Sequence, residues 1–172
     1  MNLEYWNKAK MFHGHECPGL AIGVKACQAA IDIMGINPSQ DEELVCITEN
    51  DACGVDAIQA LLGCTFGKGN LIHKPRGKQA FTFINRRTDE AVRFYLKAQN
   101  NGMERSVYQE YILNADIYDL FEYKTVEITT PDSARLFSSI TCEKCSESAA
   151  ENKIRIQEGK LVCLDCYEGE KN

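Results

Sequence analysis

The sequence predicts an α+β fold, a mixed or antiparallel sheet with packed helices, followed by a small C-terminal unit built around cysteines. Three observations lead there. Strand-like and helix-like stretches alternate irregularly along the first 130 residues, without a regular βαβ rhythm. The end of the chain carries the pattern C-x2-C-x17-C-x2-C. The length, 172 residues with 44% apolar and 26% charged side chains, suits one domain with an appendage and can bury a core without disulfides. The boundaries expected are a core over 1–130, a linker over 131–140 and a small terminal domain over 141–172.

Taken in order, Leu3 to Phe12 reads as a helix ending at His13-Gly14-His15. Cys17-Pro18-Gly19 opens a second helix, since proline suits the first turn, where a missing N–H costs nothing. Leu20, Val24, Cys27, Ile31 and Met34 recur at spacings of four and three, and Gly35 stops the helix. LVCITE at 44–49 reads as a strand, Asn50 to Gly54 as a turn, and Val55 to Leu62 as a third helix. GCTFGKGN at 63–70 is a glycine-rich loop. LIH and AFTFIN read as strands joined by Lys74-Pro75-Arg76-Gly77-Lys78 as a hairpin. Thr88 is placed to cap a helix from Asp89 to about Asn100, and a further helix covers about Glu104 to Glu122 with a break near Asn114. YKTVEIT at 123–129 reads as the last core strand.

Composition narrows the function classes. A net charge of −6 argues against general nucleic-acid or anionic-membrane binding. The apolar runs fall far short of a membrane span and the N-terminus lacks an apolar signal region, so a cytoplasmic location is expected. Nine cysteines, an odd number in a chain that reads as unsecreted, favour metal binding or thiol chemistry over a disulfide framework.

Cys142, Cys145, Cys163 and Cys166 form two C-x2-C pairs. Four thiolates on two facing turns suit a tetrahedral zinc ion, and IRI and KLV around Glu158-Gly159 supply a short hairpin between them. A zinc ribbon is therefore expected, its all-cysteine site closed and structural; an iron–sulfur cluster is the alternative for four thiolates. The ribbon is acidic, with Glu143, Glu147, Glu151, Glu158, Asp165, Glu168 and Glu170, which disfavours DNA.

A second constellation lies in FHGHECPG. His13, His15 and Cys17 sit within five residues, loosened by Gly14 and Gly19. Cys17 and Cys53 each precede a helix, where the macrodipole and free N–H groups favour a thiolate. Asp56, one turn into the third helix, is a candidate base or partner to a ligand. Cys27 and Cys46 are assigned to the core, and Cys64 is left open. The glycine-rich loop is one residue short of G-x-x-x-x-G-K-[ST] and has Gly69 after Lys68, so a nucleotide hydrolase is rejected; Lys68 is kept as a candidate cation near a pocket. Lys74, Arg76, Lys78, Arg86 and Arg87 form a basic stretch without acids that attracts an anionic ligand or is simply solvated.

FHGHECPGLAIGVKA at 12–26 and CGVDAIQALLGCTFGKGNL at 53–71 resemble the FmdE family of formylmethanofuran dehydrogenase proteins, and the terminal CEKC…CLDC resembles the zinc finger many members carry. The resemblance implies an α+β core, a C-terminal zinc-binding domain, a tendency to dimerise, and association with a molybdenum or tungsten oxidoreductase. It maps the family's motif residues onto His13, His15, Cys17, Cys53, Asp56, Cys64, Lys68 and Asn70. The leading expectation is a metal-dependent enzyme or enzyme subunit. His13, His15, Cys17 and Cys53 would hold a second zinc or another transition metal, and Cys17, Cys53, Asp56 and Lys68 would serve the chemistry. Two alternatives stand beside it: a thiol-redox or metal-delivery accessory protein, and a zinc-ribbon interaction module.

Overall fold

The computed structural model describes residues 2–133 and 136–167, and the chain divides into two compact units, Met1–Ala134 and Arg135–Asn172. Glu168 and Glu170 of the acidic ribbon lie outside the described residues.

In the first unit, helix α1 spans Leu3–His13, with the Asn2 side chain accepting from the Glu4 and Tyr5 N–H groups. It stops because Gly14 turns left-handed at φ 87°, a conformation open to glycine. Helix α2 runs Pro18–Met34 between Cys17 and a left-handed Gly35, and its buried face carries Leu20, Val24 and Cys27. Strand β1 is Leu44–Thr48, helix α3 is Gly54–Leu62, and strand β2 is Leu71–His73. Strands β3 (Ala80–Asn85) and β4 (Glu90–Leu96) follow, then α4 (Arg105–Asn114), α5 (Ile117–Leu120) and β5 (Phe121–Thr125).

The sheet order is β2-β1-β3-β4-β5, with β2 parallel to β1 and every other pairing antiparallel. The fold class is therefore α+β with a mixed sheet. One face, carrying Leu44, Cys46, Phe81, Phe83, Val92 and Phe94, packs in the main core with residues of α1 to α5. The other face holds a smaller cluster of Val45, Ile47, Ile84 and Ala91 against Ile72, Val126 and Ile128.

Two readings need correction. Residues 90–96 are strand β4, not helix. Thr88 sits in the β3–β4 turn, its N–H bonded to the Asn85 carbonyl, and so caps no helix. Beyond it Val92, Phe94 and Leu96 point to one face while Arg93 and Tyr95 point to the other, a period of two that outweighs a cap-like threonine. LIH and AFTFIN do not form a hairpin either. They flank β1 on opposite sides, Cys46 facing Leu71 in β2 and Phe83 in β3. The segment 74–78 crosses the end of β1 instead, and the true hairpin is β3–β4. The helix expected over 104–122 breaks after Asn114, and β5 begins at Phe121, two residues earlier than the pattern suggests.

The α2–β1 connection is held by side chains. The Glu43 carboxylate accepts from the Ser39 hydroxyl at 2.7 Å and the Asp41 N–H at 3.0 Å, and these bonds, the Ser39 one foremost, hold its carboxyl down to about 2. A depressed carboxyl pKa contributes stability above the unfolded value, about 4.3, that is lost as pH falls through about 2. Glu43→Gln is therefore expected to flatten the stability profile between about pH 4 and pH 2 while leaving its shape near neutrality intact; urea melts at several pH values check this.

In the second unit, strands β6 (Ser139–Thr141) and β7 (Ser148–Ala150) form one hairpin, and β8 (Ile154–Gln157) and β9 (Lys160–Cys163) form another. The β8–β9 turn is Glu158-Gly159 with φ of 52° and 78°, the two positive values a tight two-residue hairpin requires.

Candidate metal centre

Three helix ends build the core site. Cys17 caps α2 with an extended backbone, and the Leu20 N–H donates to its sulfur at 3.3 Å. Cys53 precedes α3, and its sulfur makes no capping bond. His13 ends α1, and the reversal at Gly14 brings His15 back beside it, with ring centroids 4.3 Å apart. The donor atoms of His13, His15, Cys17 and Cys53 all lie within 4.8 Å of one another.

What brings the two cysteine turns together is a glycine contact. A Cβ on Gly23 of α2 would lie 2.2 Å from the Gly54 carbonyl oxygen of α3, and one on Gly19 would lie 3.2 Å from the Cys53 Cβ. The two helices touch backbone to backbone, and their N-terminal cysteines meet as a result.

His13 is oriented from behind. Its Nδ1 lies 2.7 Å from Asp56 Oδ2, leaving Nε2 turned toward Cys17 Sγ at 3.9 Å. A tetrahedral zinc with bonds of about 2.0 Å to nitrogen and about 2.3 Å to sulfur sets its N and S donors about 3.5 Å apart, so this pair needs to move only a few tenths of an ångström. A carboxylate on the far ring nitrogen is how metal-binding histidines are usually fixed. Asp56 Oδ1 accepts from Gln59 Nε2 at 3.3 Å, so both carboxylate oxygens are engaged. Burial, reinforced by the neighbouring Cys17 sulfur, pushes the Cys53 thiol up in the metal-free protein; a bound cation reverses that preference.

Beside the cluster lies a cavity of about 410 Å³ whose walls include His13, Cys53 and Asp56. Gln59, Phe66 and His73 line it as well, and sequence reasoning singled out none of the three. His73 closes strand β2, and only the register of a three-residue strand places it there.

Lys68 stands elsewhere. Its ammonium donates to the carbonyls of Ser39, Gln40 and Asp41, at 2.8 Å to the last, beside Gly63 at the C-terminal end of α3. Nine residues of helix, about 13 Å, separate that end from Cys53. Asn70 is fully buried and donates to the Asp41, Leu44 and Gly63 carbonyls while accepting from the Thr65 N–H. The glycine-rich loop thus clamps the α2–β1 connection. Cys64 is a buried donor to the Leu44 carbonyl, its thiol pushed up to about 12 by burial, and Cys27 and Cys46 are fully buried with thiols raised for the same reason.

In the second unit, the sulfurs of Cys142, Cys145, Cys163 and Cys166 also lie within 4.8 Å of one another. Cys145 and Cys163 are 3.8 Å apart, the separation of about 3.8 Å that two thiolates share on one tetrahedral zinc. The backbone N–H groups of Cys145 and Cys163 lower the Cys142 thiol to about 6. This four-cysteine cluster fits a zinc ribbon.

Residues 12–149 match the family described as "FmdE, Molybdenum formylmethanofuran dehydrogenase operon". The chain belongs to the FmdE family. A crystal structure of a tungsten formylmethanofuran dehydrogenase FmdE-like protein from Syntrophus aciditrophicus matches this FmdE chain with a TM-score of 0.69 and 25% identity, covering 99% of this chain and 94% of that one. A probable S-adenosyl-L-methionine-binding protein from Archaeoglobus fulgidus is 29% identical over 92% of this chain. The FmdE chain spans about half, 51%, of that relative's length. Among the described residues, no helix is long and apolar enough to cross a membrane.

Proposed function

We propose that this FmdE-family protein is a zinc-dependent enzyme, or the metal-bearing subunit of a larger oxidoreductase, acting on a small molecule held in the cavity beside the core cluster. One observation carries the reading: four Cys and His donors from three helix ends converge within 4.8 Å, and two of them, His13 and Cys53, also line the cavity. His13, Cys17 and Cys53 are the inner ligands, and the exposed His15 is the displaceable one. When bound, the ion supplies Lewis-acid polarisation of a substrate oxygen or a nearly neutral-pKa water. The chain's own residues orient and enclose. Asp56 holds the His13 ring, Gln59 holds Asp56, and Phe66 and His73 border the space a substrate would fill.

Both imidazoles converge with the two cysteines, and Asp56 backs one of them, which favours a metal centre over a two-thiol redox pair. The ribbon cluster holds a second zinc in a structural role. The proposal extends to a cytoplasmic homodimer whose ribbon serves protein contacts rather than nucleic acid.

Cobalt substitution tests the open position. The core site is expected to show thiolate-to-cobalt charge-transfer bands and a visible spectrum that changes when azide is added, while the four-cysteine ribbon site stays unresponsive. A core spectrum indifferent to azide, measured against a Cys17→Ser control that reports the ribbon alone, would make the core site closed and structural.

A further inference from the structure

The sheet face turned away from the main core carries a second cavity, about 540 Å³, that the metal centre does not use. Ile47, Thr82, Arg93 and Lys124 form one cross-strand row along its floor, read directly from the pairing of β1, β3, β4 and β5. Five cationic side chains line it against two carboxylates, Glu49 and Glu127, leaving an excess of three positive charges in a chain whose net charge is −6. Arg93 and Glu49 satisfy each other through two bonds of 2.6 and 3.0 Å. Among the described residues the side chains of Lys74, Arg76, Lys78 and Lys124 make no hydrogen bond or close ion pair, although Arg76 and Lys78 lie near enough to Glu49 to add to Arg93 in holding its carboxyl down.

The loop that carries three of these cations is fixed by its backbone. The Lys74 N–H donates to the Thr48 carbonyl, the Arg76 and Lys78 N–H groups donate to the Glu49 carbonyl, and Asn50 Nδ2 donates to the Lys78 carbonyl. The charges are thus anchored at the end of β1 before anything binds, which lowers the entropic cost of gathering them. Lys124 faces them from β5, three strands or about 14 Å away across the sheet. Val126 and Ile128 add an apolar wall.

We infer that this cavity binds a small molecule bearing a diphosphate group, its phosphates between Arg76, Lys78 and Lys124 and its organic part against Val126 and Ile128. The charge excess of three matches the charge of a diphosphate near neutral pH. A guanidinium fork favours phosphate through paired N–H bonds, which a simple solvated basic loop does not exploit.

Inorganic pyrophosphate, titrated calorimetrically into the intact metal-loaded protein at about 0.15 M salt, tests it, because screening at that ionic strength suppresses diffuse attraction. One saturable site per chain is expected. Arg76→Ala with Lys78→Ala is expected to weaken it about tenfold or more, and Lys124→Ala, on a separate strand, several-fold. Cys17→Ser should bind as tightly as the wild type. The inference is overturned by absence of saturable binding at that salt, by binding unchanged in both charge variants, or by loss of binding in Cys17→Ser, which would place pyrophosphate on the metal instead.

Discussion

Elemental analysis of the intact protein is expected to return two zinc equivalents per chain, and Cys17→Ser and Cys163→Ser should each remove one. The two clusters share no ligand, since one draws on residues 13–53 and the other on residues 142–166. The effects should differ in kind. Among the described residues the ribbon's buried apolar core amounts to Cys142, Val162 and Cys163, two of them in the four-cysteine cluster, so losing an ion held there would remove most of what holds its hairpins. The core domain has Phe81, Phe83, Phe94 and Leu20 fully buried and should stay folded in Cys17→Ser. Asp56→Asn provides the graded case. It keeps every ligand atom and loses only the carboxylate behind His13, so the core equivalent should persist with affinity lowered about 10- to 100-fold in a chelator competition. A stoichiometry of one in the wild type, with that one retained in Cys17→Ser, would remove the core centre.

Gly23→Ala should be a severely damaging single-methyl addition at the α2–α3 contact. The added Cβ would meet the Gly54 carbonyl oxygen at 2.2 Å and its Cα at 2.6 Å. These are backbone atoms inside two packed helices, so no side-chain rotation relieves the contact. Overpacking a core costs about 1–3 kcal/mol, and with no flexible neighbour the upper end or beyond is expected. The larger consequence is positional. Forcing α2 and α3 apart separates Cys17 from Cys53, so the variant should lose core metal even at temperatures where circular dichroism shows it folded. Gly35→Ala supplies the comparison: its Cβ would meet nothing within 4 Å, and although a left-handed φ of 61° costs stability, the core metal should be retained.

Much of this organisation is visible in the chain itself, and the reasons for the rest are local. Helix α2 announces itself because Pro18 follows a capping residue, the apolar spacing is regular and Gly35 ends it. The ribbon is legible because C-x2-C pairs leave few geometric solutions. Strand β4 is hidden by Thr88-Asp89, which imitates a helix start while serving a turn in which Asp89 takes φ 55°. The placement of β2 beside β1 is not readable from three residues whose partner is chosen by the whole sheet. His13, His15 and Cys17 announce a donor cluster by proximity, but their meeting with Cys53 depends on Gly19 and Gly23 facing Gly54, and glycines that admit a neighbouring backbone look no different in sequence from glycines in turns. Lys68 illustrates the converse: a lysine in a glycine-rich loop suggests a ligand cation, whereas here nearby main-chain oxygens consume it.

The core donors come from positions 13 to 53, so an ion shared among them would tie a stretch of about forty residues into a ring. By the chain-entropy argument for cross-links, a closure of that length restricts the unfolded chain by about 4 kcal/mol. The centre would then act as a reversible staple between α1 and α3, binding the domain's endurance to the supply of the ion it uses.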